Sequence, residues 1–239
     1  MKQLLLPLII VLTSWGSALA QRNFILSTLR HKNFVSLTAA SSRPMATPFG
    51  KGTQNFLGQG QSMQLSVGHR LGWHWGIVGS YTYSTNPIRQ NDLLRLVREN
   101  VGQSTPWQST ATACTLQSIL IGPMFTVQAS RIVFDFQVTA GYAQGTSSHM
   151  ELSSTYQPIS YTTPARTIRA PAAGAGITVR YKVFRWLALQ GSAQYVTADL
   201  KYNNLYQERR EGRHSSVQPI APHQPMGSLN LGGGVSFLL

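Results

Sequence analysis

Cysteine is nearly absent from this sequence. Cys114 is the only one among 239 residues, so no disulfide forms within the chain and a disulfide-stapled scaffold is excluded. Charge is also scarce, at 11% of residues, less than half the roughly 25% of ordinary soluble domains. Acids are scarcer still, seven against twenty Lys and Arg, which leaves a net charge of +13. Outside the N-terminus no apolar run approaches the ~18 residues that a membrane-crossing helix needs, so a helical membrane bundle is excluded. Disorder is excluded by what is present, 10% aromatic and 42% hydrophobic residues. What remains is one β-rich domain, a water-soluble sandwich or a barrel set in a membrane.

The first twenty residues, MKQLLLPLIIVLTSWGSALA, read as a signal peptide. Lys2 supplies the positive end, Leu4 to Leu12 the apolar stretch, and Ala18-Leu19-Ala20 the small-x-small cleavage site. The expected organisation is a signal peptide at 1–20, an N-terminal periplasmic segment at 21–32 and a barrel at 33–239. Loss of Lys2 takes the net charge from +13 to +12. The residue directly after the cleavage site is Gln21 and not Cys, which argues against a lipid anchor.

Alternation is the dominant signal in the expected mature chain. In IVFDFQVTAGYAQG, Ile132, Phe134, Phe136, Val138, Ala140 and Tyr142 share one face, and Val133, Asp135, Gln137, Thr139 and Gly141 the other. Residues 73–85, 173–182 and 228–239 repeat the pattern, and 33–42, 61–71, 115–128 and 186–197 complete a set of eight strands. Pro123 removes a ladder donor and predicts a bulge or irregularity. The connections alternate in length. Leu71-Gly72, Ala129-Ser130-Arg131 and Val183-Phe184-Arg185 are short, whereas 43–60, 86–114, 146–171 and 198–227 are long and polar. Short turns at one end and long loops at the other are the layout of an eight-stranded antiparallel transmembrane barrel. The greasy phase is expected to face lipid, and the small, polar phase to fill a narrow interior. Trp73, Trp75 and Tyr181 then form an aromatic girdle on the short-turn side, and Tyr81, Tyr83, Tyr142 and Tyr195 one on the loop side.

The signal peptide, the eight alternating strands and the terminal strand LNLGGGVSFLL resemble small outer-membrane β-barrel proteins of Gram-negative bacteria, the OmpA-like/OmpW-like group, over residues 33–239. The resemblance implies a bacterial outer-membrane location and insertion by the outer-membrane assembly machinery. The sequence departs from the pattern in ending at Leu239, with Phe237 two positions earlier.

Asp135 is the sole acid expected within a strand, on the luminal phase, and Arg180, Lys182 and Arg70 fall on that phase near the same end. A carboxylate in a narrow interior requires a partner, so a luminal charge cluster is expected, as a structural ion pair or as a gate or proton path. His214-Ser215-Ser216 with Glu211, and His149 with Ser148 and Glu151, supply the residue types of acyl transfer, but in polar loops with no rigid strand to hold them. No catalytic residue, metal ligand or cofactor is assigned; Gly232-Gly233-Gly234 lies within a strand and opens no helix, so it is no phosphate loop. Nucleic acid is excluded as a partner for an exported barrel. Arg89, Arg95, Arg98, Arg166, Arg169, Arg209, Arg210 and Arg213 stand in long loops as candidate contacts to lipopolysaccharide phosphates. Residues Asp92 to Asn100 read as a short amphipathic helix with Leu93, Leu96 and Val97 on one face. The functional expectation is a structural or surface-interaction barrel with an extracellular partner. The alternatives are a small pore or lateral-path transporter of hydrophobic molecules, and a lipid-modifying enzyme.

Overall fold

The computed structural model describes residues 32–45, 47–48, 56–101, 107–156, 158–201, 206–212, 214–219 and 225–239. The expected signal peptide lies outside them. In chain order the strands are β1 (Asn33–Pro44), β2 (Gly60–Arg70), β3 (Trp75–Asn86), β4 (Trp107–Ala111), β5 (Cys114–Ala129), β6 (Ile132–Thr146), β7 (Met150–Ser154), β8 (Ile159–Thr163), β9 (Thr167–Lys182), β10 (Leu187–Ala198), β11 (Tyr206–Glu211), β12 (His214–Pro219) and β13 (Met226–Leu238). A helix, α1 (Gln90–Val101), precedes β4.

Eight strands, β1, β2, β3, β5, β6, β9, β10 and β13, close into an antiparallel barrel in which β13 pairs with β1. Closure depends on small residues at the seam. A Cβ on Gly234 would sit 1.9 Å from the Leu37 carbonyl oxygen, and one on Gly232 would sit 2.2 Å from that of Ala39. Gly232 and Gly234 thus let β13 and β1 approach.

The greasy phase faces outward along the barrel. Val138 is 66% exposed and Ile119 69%, while Asp135, Gln137 and Thr139 between and beside them are buried. This inverts the ordinary rule that large apolar side chains go inside. An apolar exterior over a polar interior is stable only where hydrocarbon replaces water outside.

Five further strands form a second sheet, ordered β12-β11-β8-β7-β4, and here the long connections differ from unstructured loops. The sheet continues the barrel wall. Thr115 faces Thr146 within the barrel, and four residues on Ala111 faces Met150 in unchanged register. Likewise Thr146 faces Thr167, and beyond the break Met150 faces Thr163. The backbone bonds Thr112 N to His149 O (3.0 Å) and Ser147 N to Arg166 O (2.8 Å) carry the ladders across the gap. One side of the barrel thus rises above the mouth as a wall, where Leu93 and Leu94 of α1 pack against Trp107 and Leu152, as do Ile159 and Tyr161 of β8.

Other corrections are local. The β2–β3 turn spans Leu71 to His74, so Trp73 belongs to the turn; the β9–β10 turn spans Val183 to Trp186. Pro123 causes no bulge, because Ile121 faces Ala140 and Met124 faces Gln137 in one register. Only the pairing at Gly122 and Pro123 lapses, as a missing N–H requires. The helix expected over 92–100 runs over Gln90–Val101.

Candidate functional site

The luminal phase is less uniformly polar than the sequence pattern implies. Towards the loop end, Leu116, Leu120, Val196, Leu200 and Met226 form an apolar cluster with Leu57 and Cys114. At the short-turn end Phe34, Val78, Met124, Ala188 and Leu238 form a second. The polar layer between them contains bonds that span strands not paired with each other. Thr82 Oγ1 donates to Gln194 Oε1 at 3.5 Å, and Gln190 Nε2 to Thr38 Oγ1 at 2.5 Å. The signal for both clusters was available, since Leu116, Leu120 and Met124 share a phase with Ser118 and Thr126. It was masked by the stronger apolar run on the opposite face.

Asp135 and Arg180 sit at the lower boundary of that polar layer. Asp135 accepts hydrogen bonds on both oxygens, from Arg180 Nη2 in a direct ion pair and from Thr126 Oγ1 at 2.7 Å. Arg180 is 1% exposed. Its guanidinium carbon lies 3.8 Å from the centre of the Phe34 ring on β1. A buried ion pair holds only when its geometry is good and its remaining polar atoms are served. Thr126 serves the carboxylate and the ring face meets the cation, while Arg180 Nε and Nη1 find no hydrogen-bond partner among the described residues. Arg70 and Lys182 stand half-buried at the short-turn mouth, within the electrostatic field of Arg180, while the direct pair is Arg180's. A small cavity lined by Phe34, Gln64, Asp135, Gln137, Arg180 and Gln190 adjoins the pair.

The aromatic residues form two levels on the exterior. Trp73, Trp75 and Tyr181 are exposed at the short-turn end, and Tyr81, Tyr83 and Tyr142 towards the loops; Tyr195 is half-buried. Sequence reasoning missed a ladder at the lower level. Phe184 stacks on Trp186 at 6.0 Å and Trp186 on Phe237 at 6.2 Å, a juxtaposition of a turn with β13 that only barrel closure creates.

Most loop arginines are already engaged. Arg89 and Arg95 lie 3.8 and 3.7 Å from Asp92, Arg166 lies 5.4 Å over the Tyr206 ring, and Arg169 Nε donates to Gln144 at 3.0 Å. Arg209 pairs with Glu211 and Arg210 with Glu208, each at 2.9 Å. Arg98 is on α1, but its side chain, like Arg213, lies outside the described residues. Glu208 is held below the ordinary carboxylate range by its hydrogen bonds from Arg210 and Ser215 and by the charge of Arg210.

The His214 set is held on strands, contrary to expectation, whereas Ser148 and His149 stay outside them. Glu211 faces His214 at the tip of the β11–β12 hairpin, and Ser148 and His149 lie between β6 and β7. Ser215 Oγ, however, donates to Glu208 at 3.0 Å, and Ser148 Oγ to the Thr112 carbonyl at 2.5 Å. Among the described residues, neither hydroxyl is hydrogen-bonded to a histidine side chain. No three of His, Cys, Asp and Glu among them are grouped to hold a metal.

No family model and no curated protein sequence matches the chain. Solved structures do. The attachment invasion locus protein Ail of Yersinia pestis is 17% identical with a TM-score of 0.43, covering 87% of this chain and 100% of that one. Neisserial surface protein A is 14% identical at 0.45, covering 87% and 97%. The outer membrane protease OmpT of Escherichia coli is 8% identical at 0.48, covering 89% and 98%. The fold assignment rests on this chain's own strand pairing.

Proposed function

We propose that this protein is an outer-membrane barrel with a structural or surface-interaction role, closed to solutes along its axis and presenting its raised wall to the exterior. One observation carries the reading. The lumen is stopped at both ends by apolar clusters, while three long connections are knitted into one hydrogen-bonded sheet beyond the mouth. Ordering so much backbone outside the barrel costs conformational entropy, and a binding surface benefits from such rigidity. Lipopolysaccharide is the partner nearest this surface. Arg166, Arg169, Arg209 and Arg210 offer guanidinium groups at its base and edge, and their exposed pairings are weak enough, at ~0–1 kcal/mol, to yield to phosphate. A lateral path for hydrophobic molecules is disfavoured by the continuous ladders between neighbouring strands, interrupted only at Pro123 among the described residues. The reading assigns no catalytic step.

The test replaces residues 206–219 by a Gly-Ser linker of equal length. Heat-modifiable migration on a detergent gel should persist, because the barrel strands are untouched, while binding of purified lipopolysaccharide or of a target cell surface falls at least tenfold. Unchanged binding to both would overturn the assignment of the surface role to the wall.

A further inference from the structure

All seven acids in the sequence lie either in the long connections or, for Asp135, in a buried pair. The short-turn end therefore carries cations with no exposed acidic side chain to answer them, the one anion there being the carboxylate of Leu239 beside Asn33. Lys32, Arg131 and Arg185 are exposed there, and Arg70 and Lys182 stand half-buried at the mouth. Backbone bonds set them in doublets. Arg70 N donates to the Lys32 carbonyl, and Lys182 N to the Arg131 carbonyl, each at 2.8 Å. Between the doublets run the exposed rings of Trp73, Trp75, Phe184 and Trp186, a level at which indole rings sit beside lipid headgroups. Rings at the headgroup level with unanswered cations just beyond them match the layering of an anionic phospholipid leaflet, whose phosphates lie outside its acyl chains.

We propose that this rim is a binding surface for anionic phospholipid headgroups, with Lys32, Arg131 and Arg185 contacting the phosphodiester while the tryptophans and Phe184 seat the glycerol and upper acyl chain. The proposal rests on the membrane-barrel reading above and adds a lipid preference at the end opposite the raised wall. It commits to the lipid rather than to an acidic periplasmic protein because the cations adjoin an apolar ring belt, which a soluble acidic partner would leave unused.

The protein supplies its own probes, since Trp73, Trp75 and Trp186 all lie at this rim and Trp107 is buried in the outer sheet. The folded full-length protein is reconstituted into phosphatidylcholine vesicles containing either brominated phosphatidylglycerol or brominated phosphatidylcholine, and tryptophan quenching gives the relative affinity. We expect the anionic lipid to be preferred by about fivefold or more, the factor supplied by ~1 kcal/mol per basic residue near an anionic surface. The preference should fall towards equality in K32Q/R131Q/R185Q, and partly in R131Q and R185Q singly, with quenching by the zwitterionic lipid unchanged. Raising NaCl to about 0.5 M should weaken it, as screening requires. Equal quenching by the two lipids in the parent protein, or a preference that survives the triple substitution, would overturn the proposal while leaving the barrel in its membrane. Absence of quenching by either lipid would overturn the membrane reading itself.

Discussion

Arg180 reaches across the lumen from β9 to lay its guanidinium 3.8 Å from the ring centre of Phe34 on β1, a strand with which β9 has no ladder. The contact ties opposite walls together just below the polar layer and shields the Asp135 pair from the short-turn mouth. A desolvated cation over an aromatic face is worth about 2 kcal/mol, so Phe34 stabilises the cation as well as filling space.

Asp135→Ala leaves that guanidinium buried and uncompensated, and we expect a loss of about 3–5 kcal/mol of stability, measured by urea unfolding in lipid bilayers. The double replacement Asp135→Leu with Arg180→Met should restore most of it, because apolar groups of similar volume need no partner. A double variant as unstable as the single one would show that the pair acts through something other than mutual charge compensation.

The two luminal clusters predict the electrical behaviour. Planar-bilayer recordings should show no steady conductance, since a hydrated ion would have to cross both the Leu116–Leu120 layer and the Phe34–Met124 layer. Stable open levels comparable with those of a water-filled porin would contradict a filled interior.

Val138 lies at mid-height on the exterior and is two-thirds exposed (66%). On a soluble surface Val138→Arg would change stability by less than about 0.5 kcal/mol; facing hydrocarbon it should cost about 2–4 kcal/mol. Equilibrium unfolding from bilayers distinguishes the two, and a negligible cost would mean that this face meets water.

The β11–β12 hairpin should loosen in acid. Glu208 is held below its unfolded value by Arg210 and Ser215, so its contribution is present above the ordinary carboxylate range and is lost as pH falls through the lowered folded value. Amide exchange in 206–219 should therefore quicken on acidification once corrected for the intrinsic rate. Glu211 and His214 face each other at the hairpin tip, so Glu208→Gln, which should flatten most of the dependence, isolates the residue. A slope unchanged in that variant would assign it to the tip.

Trp107 is buried between the outer sheet and α1, with its ring 5.9 Å from that of Tyr161. Trp107→Ala should cost about 3–5 kcal/mol locally. We expect faster proteolysis within 90–111 and an unaltered heat-modifiable barrel; a barrel that also unfolds would mean that the wall and the barrel form one cooperative unit.

Much of the barrel was legible because period-two alternation survives wherever one face meets lipid and the other a narrow lumen. Ile132 to Tyr142 declares its outward set without any knowledge of neighbours, and alternating connection lengths separate the two ends. The strands of the outer wall were not legible. Trp107–Ala111 and Ile159–Thr163 are five residues each, too short to show a period, and Tyr206–Glu211 reads as a charged loop. They become strands because the barrel ladders deliver them already in register, so each added pair extends an existing sheet without a new nucleation. Pro123 produced the irregularity and not the bulge for the related reason that flanking ladders hold a register which one missing donor cannot shift.

The amino-acid order alone settled the number of barrel strands, the outward phase of each and the placing of every acid but Asp135 in the long connections, since these depend on local patterning. Which charges touch, what stops the lumen and what the long connections become depended on closure, which brings β1 against β13 and sets Phe34 opposite Arg180. Partners so distant along the chain leave no trace in a local repeat; only the curvature and stagger of the finished ring bring them together.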